Sequence, residues 1–276
     1  MNNRTEVLAF IGGGNMAMSL IAGLLSRGWS TAGIRVAEPV AAQRQRLEQE
    51  FGVTITPDNR VAAEGAAVIL LAVKPQDLAA VARELSSTVA AASPLVISIA
   101  AGVRASDLGR WLPGAAIVRA MPNRPALLGC GATALYAPPS VPAHRRELAA
   151  EILSSVGLAL WVHAESDMDS VTAVSGSGPA YFFLLMETLE EAASELGLDA
   201  SVARRLAIET AYGAARMARE TGIEPALLRE QVTSKGGTTH AAVSALEQAG
   251  VRDIFRRAIR AAAQRSAELA DQLGSA

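Results

Sequence analysis

The sequence predicts a protein in two parts, an α/β half with a parallel sheet over residues 1–163 and an all-α half over 164–276. Three observations carry that expectation. Apolar strand-like runs alternate with helix-patterned stretches as far as residue 163. The first run, Val7-Leu8-Ala9-Phe10-Ile11, passes directly into Gly12-Gly13-Gly14-Asn15-Met16-Ala17 and then into apolar positions at helical spacing, Met18 to Leu25. From Ser166 onward no strand pattern appears, only helical ones separated by turns such as Leu196-Gly197-Leu198-Asp199 and Thr221-Gly222-Ile223-Glu224-Pro225.

The opening junction reads as strand, tight turn and helix. Gly12 permits the turn, Gly14 lets a pyrophosphate approach the backbone, and Ala17 is small enough for the helix to pack on the strand. Free amides at the helix start then face the phosphates. A glycine turn by itself also closes ordinary loops; its place between strand and helix selects a Rossmann-type dinucleotide site. Next, Ile34-Arg35-Val36-Ala37 is a second strand ending at Glu38-Pro39, where a carboxylate can bond the adenosine ribose and repel a 2'-phosphate. Arg44 and Arg46 follow, either as phosphate holders or as a solvated helix face. Preference between NADPH and NADH stays open on these residues.

Val53-Thr54-Ile55 is a third strand, followed by the turn Thr56-Pro57-Asp58-Asn59 and a short helix. Ala66 to Val73 is apolar throughout, as a central parallel strand buried on both faces requires, and stops at Lys74-Pro75. Lys74 has two readings: a ligand contact at a strand's carboxyl end, or a cap on the sheet rim. Pro94 to Ile99 and Ala115 to Ala120 continue the sheet. The latter runs into Met121-Pro122-Asn123-Arg124-Pro125, a loop stiffened by its prolines and suited to positioning a ring. Thr133 to Tyr136 and Leu158 to Val162 complete the sheet, with a helix from Ala143 to Val156 between them.

Two stretches of the second half do not suit a plain helix. Val174-Ser175-Gly176-Ser177-Gly178-Pro179-Ala180-Tyr181 breaks an apolar helical pattern at a cost of about 1 kcal/mol per glycine. Either a ligand approaches that backbone or two helices cross there. Val232 to His240 holds Gly236-Gly237-Thr238-Thr239, whose amides at a helix start suit a carboxylate; the alternative is a plain interhelical turn with a threonine cap. The second half is dense in alanine, and its apolar stripes suit packing against another subunit or within one chain.

Composition narrows the class. A net charge of -2 gives no general pull toward nucleic acid or anionic membrane, and no apolar run is long enough to span a bilayer. With the single cysteine Cys130 and no charged n-region ahead of an apolar core, the expectation is a reduced, cytoplasmic protein. The three histidines, His144, His163 and His240, have no metal-ligand spacing, so no metal is expected. Ser175 and Ser177 lack the strand-turn-helix setting of a hydrolase nucleophile.

Phe10-Ile11-Gly12-Gly13-Gly14-Asn15-Met16, Leu71-Ala72-Val73-Lys74-Pro75, Met121-Pro122-Asn123, Val171 to Tyr181 and Gly236-Gly237-Thr238-Thr239 occur in an order that resembles pyrroline-5-carboxylate reductase. The Ser175-Gly-Ser-Gly-Pro-Ala-Tyr181 run is the most specific of them. The resemblance implies NAD(P)H-dependent reduction of the cyclic imine 1-pyrroline-5-carboxylate to L-proline, the last step of proline biosynthesis, with NADPH as the first expectation for the cofactor and NADH as the second. It implies a helical dimerisation and substrate domain, a homodimer and, in many members, a decamer. Gly12, Gly14, Asn15 and Met16 would hold the pyrophosphate, with Glu38 and Asn59 near the adenosine. Ala72 and Lys74 would line the cofactor cleft, and Met121 and Asn123 would border the nicotinamide. Ser177, Gly236, Gly237 and Thr238 fall to the substrate, and Thr239 to its ring nitrogen. Arg124 and Lys235 depart from the family's usual threonine and proline. They either strengthen attraction of a carboxylate or mark a different cyclic imino acid.

Overall fold

The computed structural model describes residues 6–274. Within them, residues 6–176 and 262–274 form one compact unit and residues 177–261 another. The division falls at Gly176 rather than at residue 163, so the helical half contributes to both units.

In the first unit, β1 (Leu8–Ile11), β2 (Ile34–Ala37), β3 (Thr54–Thr56), β4 (Val68–Leu71), β5 (Leu95–Ser98), β6 (Ala116–Met121), β7 (Gly131–Tyr136) and β8 (Gly157–Trp161) make one sheet. Its order is β3-β2-β1-β4-β5-β6-β7-β8. The first six strands follow the dinucleotide-binding order, in which the connection reverses direction across the sheet between β1 and β4. All neighbours pair in parallel except β6 and β7, which are antiparallel. The link between those two carries only a five-residue 3₁₀ segment, Arg124–Leu128, and a parallel return would need a full helical crossover.

The sheet is covered on both faces because its strands alternate. Leu8 and Phe10 of β1, Val68 and Leu70 of β4, and Leu95 and Ile97 of β5 join one core with α1 (Asn15–Ser26), α2 (Ala41–Phe51) and α6 (Ala143–Ser154). Ala9, Ile11, Ile69, Leu71 and Val96 point the other way, into a second core with α3 (Asn59–Ala63), α4 (Pro75–Ala92) and α5 (Ala105–Trp111). Each fully buried Leu or Ile contributes roughly 1.5–3 kcal/mol, which outweighs strand propensity in fixing these short segments. A short helix, α7 (Asp167–Val171), ends in a π-helical turn, Thr172–Gly176.

The second unit is helical: α8 (Gly178–Glu195), α9 (Ala200–Thr221), α10 (Pro225–Gln231), α11 (Thr238–Gln248) and the first part of α12 (Val251–Gly274). Helices α8 and α9 form an antiparallel pair around the turn that the sequence places at Leu196 to Asp199. Asp199 caps α9, accepting from the amides of Ser201 and Val202. Large apolar side chains remain on the surface of this unit, including Phe182 at 61%, Phe183 at 59% and Leu184 at 62% exposure. The last turns of α12 belong to the first unit, where Leu273 packs against the second core and Ser266 donates to Asp169 of α7 at 2.7 Å.

Candidate active site

Parallel strands all end on one side, so the chain's motifs collect along a single edge of the sheet. Gly12 to Met16 follow β1, Glu38 follows β2, Ala72 and Lys74 follow β4, and Met121 to Asn123 close β6. Gly12 has φ of 98° and its amide donates to the carbonyl of Ala37 at 2.8 Å. A Cβ there would lie 2.8 Å from the carbonyl oxygen of Ala72, so only glycine fits. Gly14 caps α1 in extended conformation with no side-chain partner, and a Cβ added to it would meet nothing within 4 Å. Unfilled space beside free helix amides, with no acidic residue in the first turn, fits a pyrophosphate. Asn15 is exposed at the helix start and Met16 packs partly into the core behind it.

Glu38 is only 8% exposed. One carboxylate oxygen accepts from the amide of Gly13 and the other from Val40, both at 2.9 Å. The structural role it displays is therefore to hold the glycine turn on the end of β2; the sequence had pointed only to a ribose contact. Gln43 adds a bond to the carbonyl of Gly13 at 2.6 Å. Arg44 is anchored at the same place, one guanidinium nitrogen donating to the carbonyls of Glu38 and Pro39 at 2.9 and 2.7 Å. Arg46 instead sits on the exposed face of α2, 3.5 Å from Glu50. The side-chain amide of Asn59 donates to Glu84 of α4 at 2.9 Å. Lys74 is exposed as the cap of α4, with Pro75 in the first turn, and Ala72 is half-buried.

The break in the helical pattern takes a definite form. Thr172 and Ser175 return their hydroxyls to the carbonyls of Met168 and Val171 at 2.8 and 3.0 Å, and the backbone widens into the π turn. Met121 and Asn123 meet that turn. A Cβ on Gly176 would lie 2.5 Å from Met121 Cε. Asn123 donates its amide to the carbonyl of Ser175 at 3.0 Å and accepts from the backbone of Ala132 at 2.9 Å. Both ends of Asn123 are thus engaged in shaping the loop. Sequence reading missed Arg119 and Glu165 here, an ion pair at 2.7 Å whose arginine sits in the middle of β6. A charged residue inside an otherwise apolar strand pattern was the available signal.

Ser177 is the first residue of the second unit and caps α8 without a side-chain bond. Residues 234–237 form a turn closed by the Gly237 amide on the Ser234 carbonyl at 3.0 Å. Gly236 occupies its third position with φ of 75°, where a type II turn needs glycine, and Lys235 holds the second. Gly237 is an extended cap with no side-chain partner, so the first amides of α11 are free beside Thr238, which is exposed, and Thr239, which is half-buried.

Comparison with known proteins agrees with this geometry. A family model described as pyrroline-5-carboxylate reductase dimerisation matches residues 165–269, and one described as NADP oxidoreductase, coenzyme F420-dependent, matches residues 7–102. The chain is 48% identical to pyrroline-5-carboxylate reductase of Pseudomonas aeruginosa, over 98% of this chain and 99% of that one. A solved structure of a pyrroline-5-carboxylate reductase from Coxiella burnetii superposes with a TM-score of 0.92 at 42% identity, covering 96% of this chain and 99% of the other. The enzyme from Plasmodium falciparum with NADP bound gives 0.84 at 26% identity, over 96% of this chain and 98% of that one. With a glycine turn built for a dinucleotide, a π turn after α7 that meets Met121 and Asn123, and relatives this similar along nearly its whole length, the chain belongs to the pyrroline-5-carboxylate reductase family of NAD(P)H-dependent oxidoreductases.

Proposed function

We propose that this protein reduces 1-pyrroline-5-carboxylate to L-proline, the final step of proline biosynthesis, as a cytoplasmic homodimer able to assemble further into a decamer. The observation that carries the substrate side of this reading is the free start of α11, where Gly237 leaves helix amides unpaired beside two threonine hydroxyls. Bound NAD(P)H supplies the hydride. Gly12, Gly14, Asn15 and Met16 hold its pyrophosphate at the start of α1, and Ala72, Lys74, Met121 and Asn123 line its cleft. NADPH is the expected donor, with the Arg44 guanidinium fixed at the end of β2.

The amides of Gly236, Gly237 and Thr238 grip the substrate carboxylate, and Ser177 is assigned a further substrate contact. Thr239 accepts the N–H of the protonated ring nitrogen and fixes the ring's orientation. An iminium carbon is already electrophilic, so the protein needs no strong acid; positioning supplies most of the acceleration. Lys235, which is exposed, adds positive charge beside the carboxylate site. Among the described residues no helix is long and apolar enough to cross a membrane, and Cys130 is a free thiol.

Oxidation of NAD(P)H is to be followed with pyrroline-5-carboxylate and with its six-membered homologue. Faster turnover of the five-membered ring is expected. Preference for the larger ring would assign Arg124 and Lys235 to a different cyclic imino acid, and no turnover of either would leave a dinucleotide-binding scaffold. Thr239→Ala should lower kcat roughly 10–100-fold while the dinucleotide dissociation constant, read by fluorescence titration, stays within about twofold. Unchanged turnover would remove Thr239 from the mechanism.

A further inference from the structure

We propose that Arg119 and Glu165 are positioning residues that lock α7 and its π turn onto β6, keeping the loop at Met121 and the turn at Gly176 in fixed register. The argument begins with strand periodicity. Arg119 and Met121 are two residues apart on β6 and share a face of the sheet, the face of Ile117 and the second core. Arg119 reaches Glu165, just ahead of α7, and Met121 packs on Gly176, at the end of the π turn. Asn123, the next alternate residue, bonds the carbonyl of Ser175. Alternate residues of β6 and its continuation therefore hold the 165–176 segment at both of its ends.

The far anchor is also the most costly one. The Arg119 side chain is 8% exposed and Glu165 26% exposed, so both charges are largely removed from water. One carboxylate oxygen of Glu165 accepts from Arg119 at 2.7 Å and from the Ala105 amide, at the start of α5, at 2.6 Å. That single atom ties β6, α5 and the entry to α7 together. A desolvated pair of this kind gains little stability over apolar residues of similar volume, whereas it specifies one arrangement of the elements that it joins. A π turn has a poorer intrinsic claim on its conformation than an α-helix and needs such an external frame.

The inference rests on the proposed reading of the site, in which Met121, Asn123 and the π turn border the nicotinamide. Its test uses the full-length protein and the variants Glu165→Gln, Arg119→Met and the double variant Arg119→Met/Glu165→Met. Amide hydrogen exchange over residues 121–123 and 172–176 is measured alongside kcat, KM for NADPH and Tm. Glu165→Gln and the double variant should exchange roughly tenfold faster in both segments and lose about tenfold or more in kcat, with KM for NADPH within about twofold. The double variant leaves no buried charge unpaired, so it keeps the test open if a single variant fails to fold. Wild-type exchange in both segments of the folded double variant would overturn the proposal. So would a loss confined to Tm. Because exchange is read without substrate, absence of turnover in the wild type would count against the assigned reaction and leave the brace to be judged by exchange alone.

Discussion

The two compact units differ in how far a single chain completes them. In the first, strands β1 and β4 are wholly buried, and the glycine turn is fixed by Ala37, Ala72, Glu38 and Gln43 together. In the second, long helices leave Phe182, Phe183, Leu184, Leu206 and Tyr212 more than half exposed, and the Gly236 turn is closed by one backbone bond. An apolar surface of that extent on helices asks for another surface. The contrast teaches that the glycine turn of the first unit is fixed within one chain, whereas the second unit leaves its apolar helix faces and the turn at Gly236 with little support from the chain's own packing.

Replacing the two turn glycines gives the sharpest way to break the comparison. Gly12→Ala meets a left-handed φ and the Ala72 carbonyl at once, so about 2–5 kcal/mol of destabilisation is expected, with NADPH affinity weakened roughly tenfold or more. Gly236→Ala has the same kind of φ but open space around the new methyl, which limits its cost to about 1–2 kcal/mol and leaves nucleotide binding intact. Urea unfolding and fluorescence titration read both. Equal losses in the two variants would mean that the Gly236 turn is held as firmly as the Gly12 turn.

A smaller effect on the fold, though a decisive one for assembly, is expected from Phe183→Glu on α8. In the isolated chain the side chain already faces solvent, so far-ultraviolet circular dichroism should change little. Covered by a second copy, the carboxylate would be buried without a partner at a cost of several kcal/mol, and the dimer should dissociate at micromolar concentration. Sedimentation velocity measures this. A variant with the wild-type mass would place the dimer contact elsewhere.

Much of the first unit was legible because its signals are local or strictly periodic. Buried parallel strands such as Val68–Leu71 read as unbroken apolar runs, and Gly12 to Ala17 states its turn in its own residues. The antiparallel β7 was not legible in direction, because a strand's apolar pattern is the same read either way and the short 122–130 link decides it. The glycine and proline break at Val174 to Tyr181 announced an irregularity without its form; the π turn depends on Met121 and Asn123, which lie some fifty residues earlier. Glu38 illustrates a further limit. Its place at the end of β2 suggested a ribose contact, whereas its bonds to Gly13 and Val40 appear only once the strands are aligned. Lys235 shows the reverse: once Gly236 is seen at the third position of a type II turn, the proline that the sequence resemblance leads one to expect at the second becomes intelligible, because its fixed φ would stiffen the turn where lysine brings charge.

The smallest effect concerns how the second unit keeps its helices in order with so little buried core, and Asp199 is the place to measure it. Bonds from the hydroxyl of Ser201 and the amides of Val202 and Ser201 hold its carboxyl below the ordinary aspartate range. Because the folded pKa is depressed, the contribution of the charged cap is fully present above the unfolded value. It is lost as pH falls through the folded value. Asp199→Asn keeps a capping side chain but removes the charge, so it should melt about 1–2 °C below wild type at neutral pH and converge with it in acid. Thermal melts at matched protein concentration between about pH 2 and pH 7 follow the two curves. If they run parallel through the acid limb, the charge of Asp199 contributes nothing to α9, and the order of this helix comes from its packing against α8 and from assembly alone.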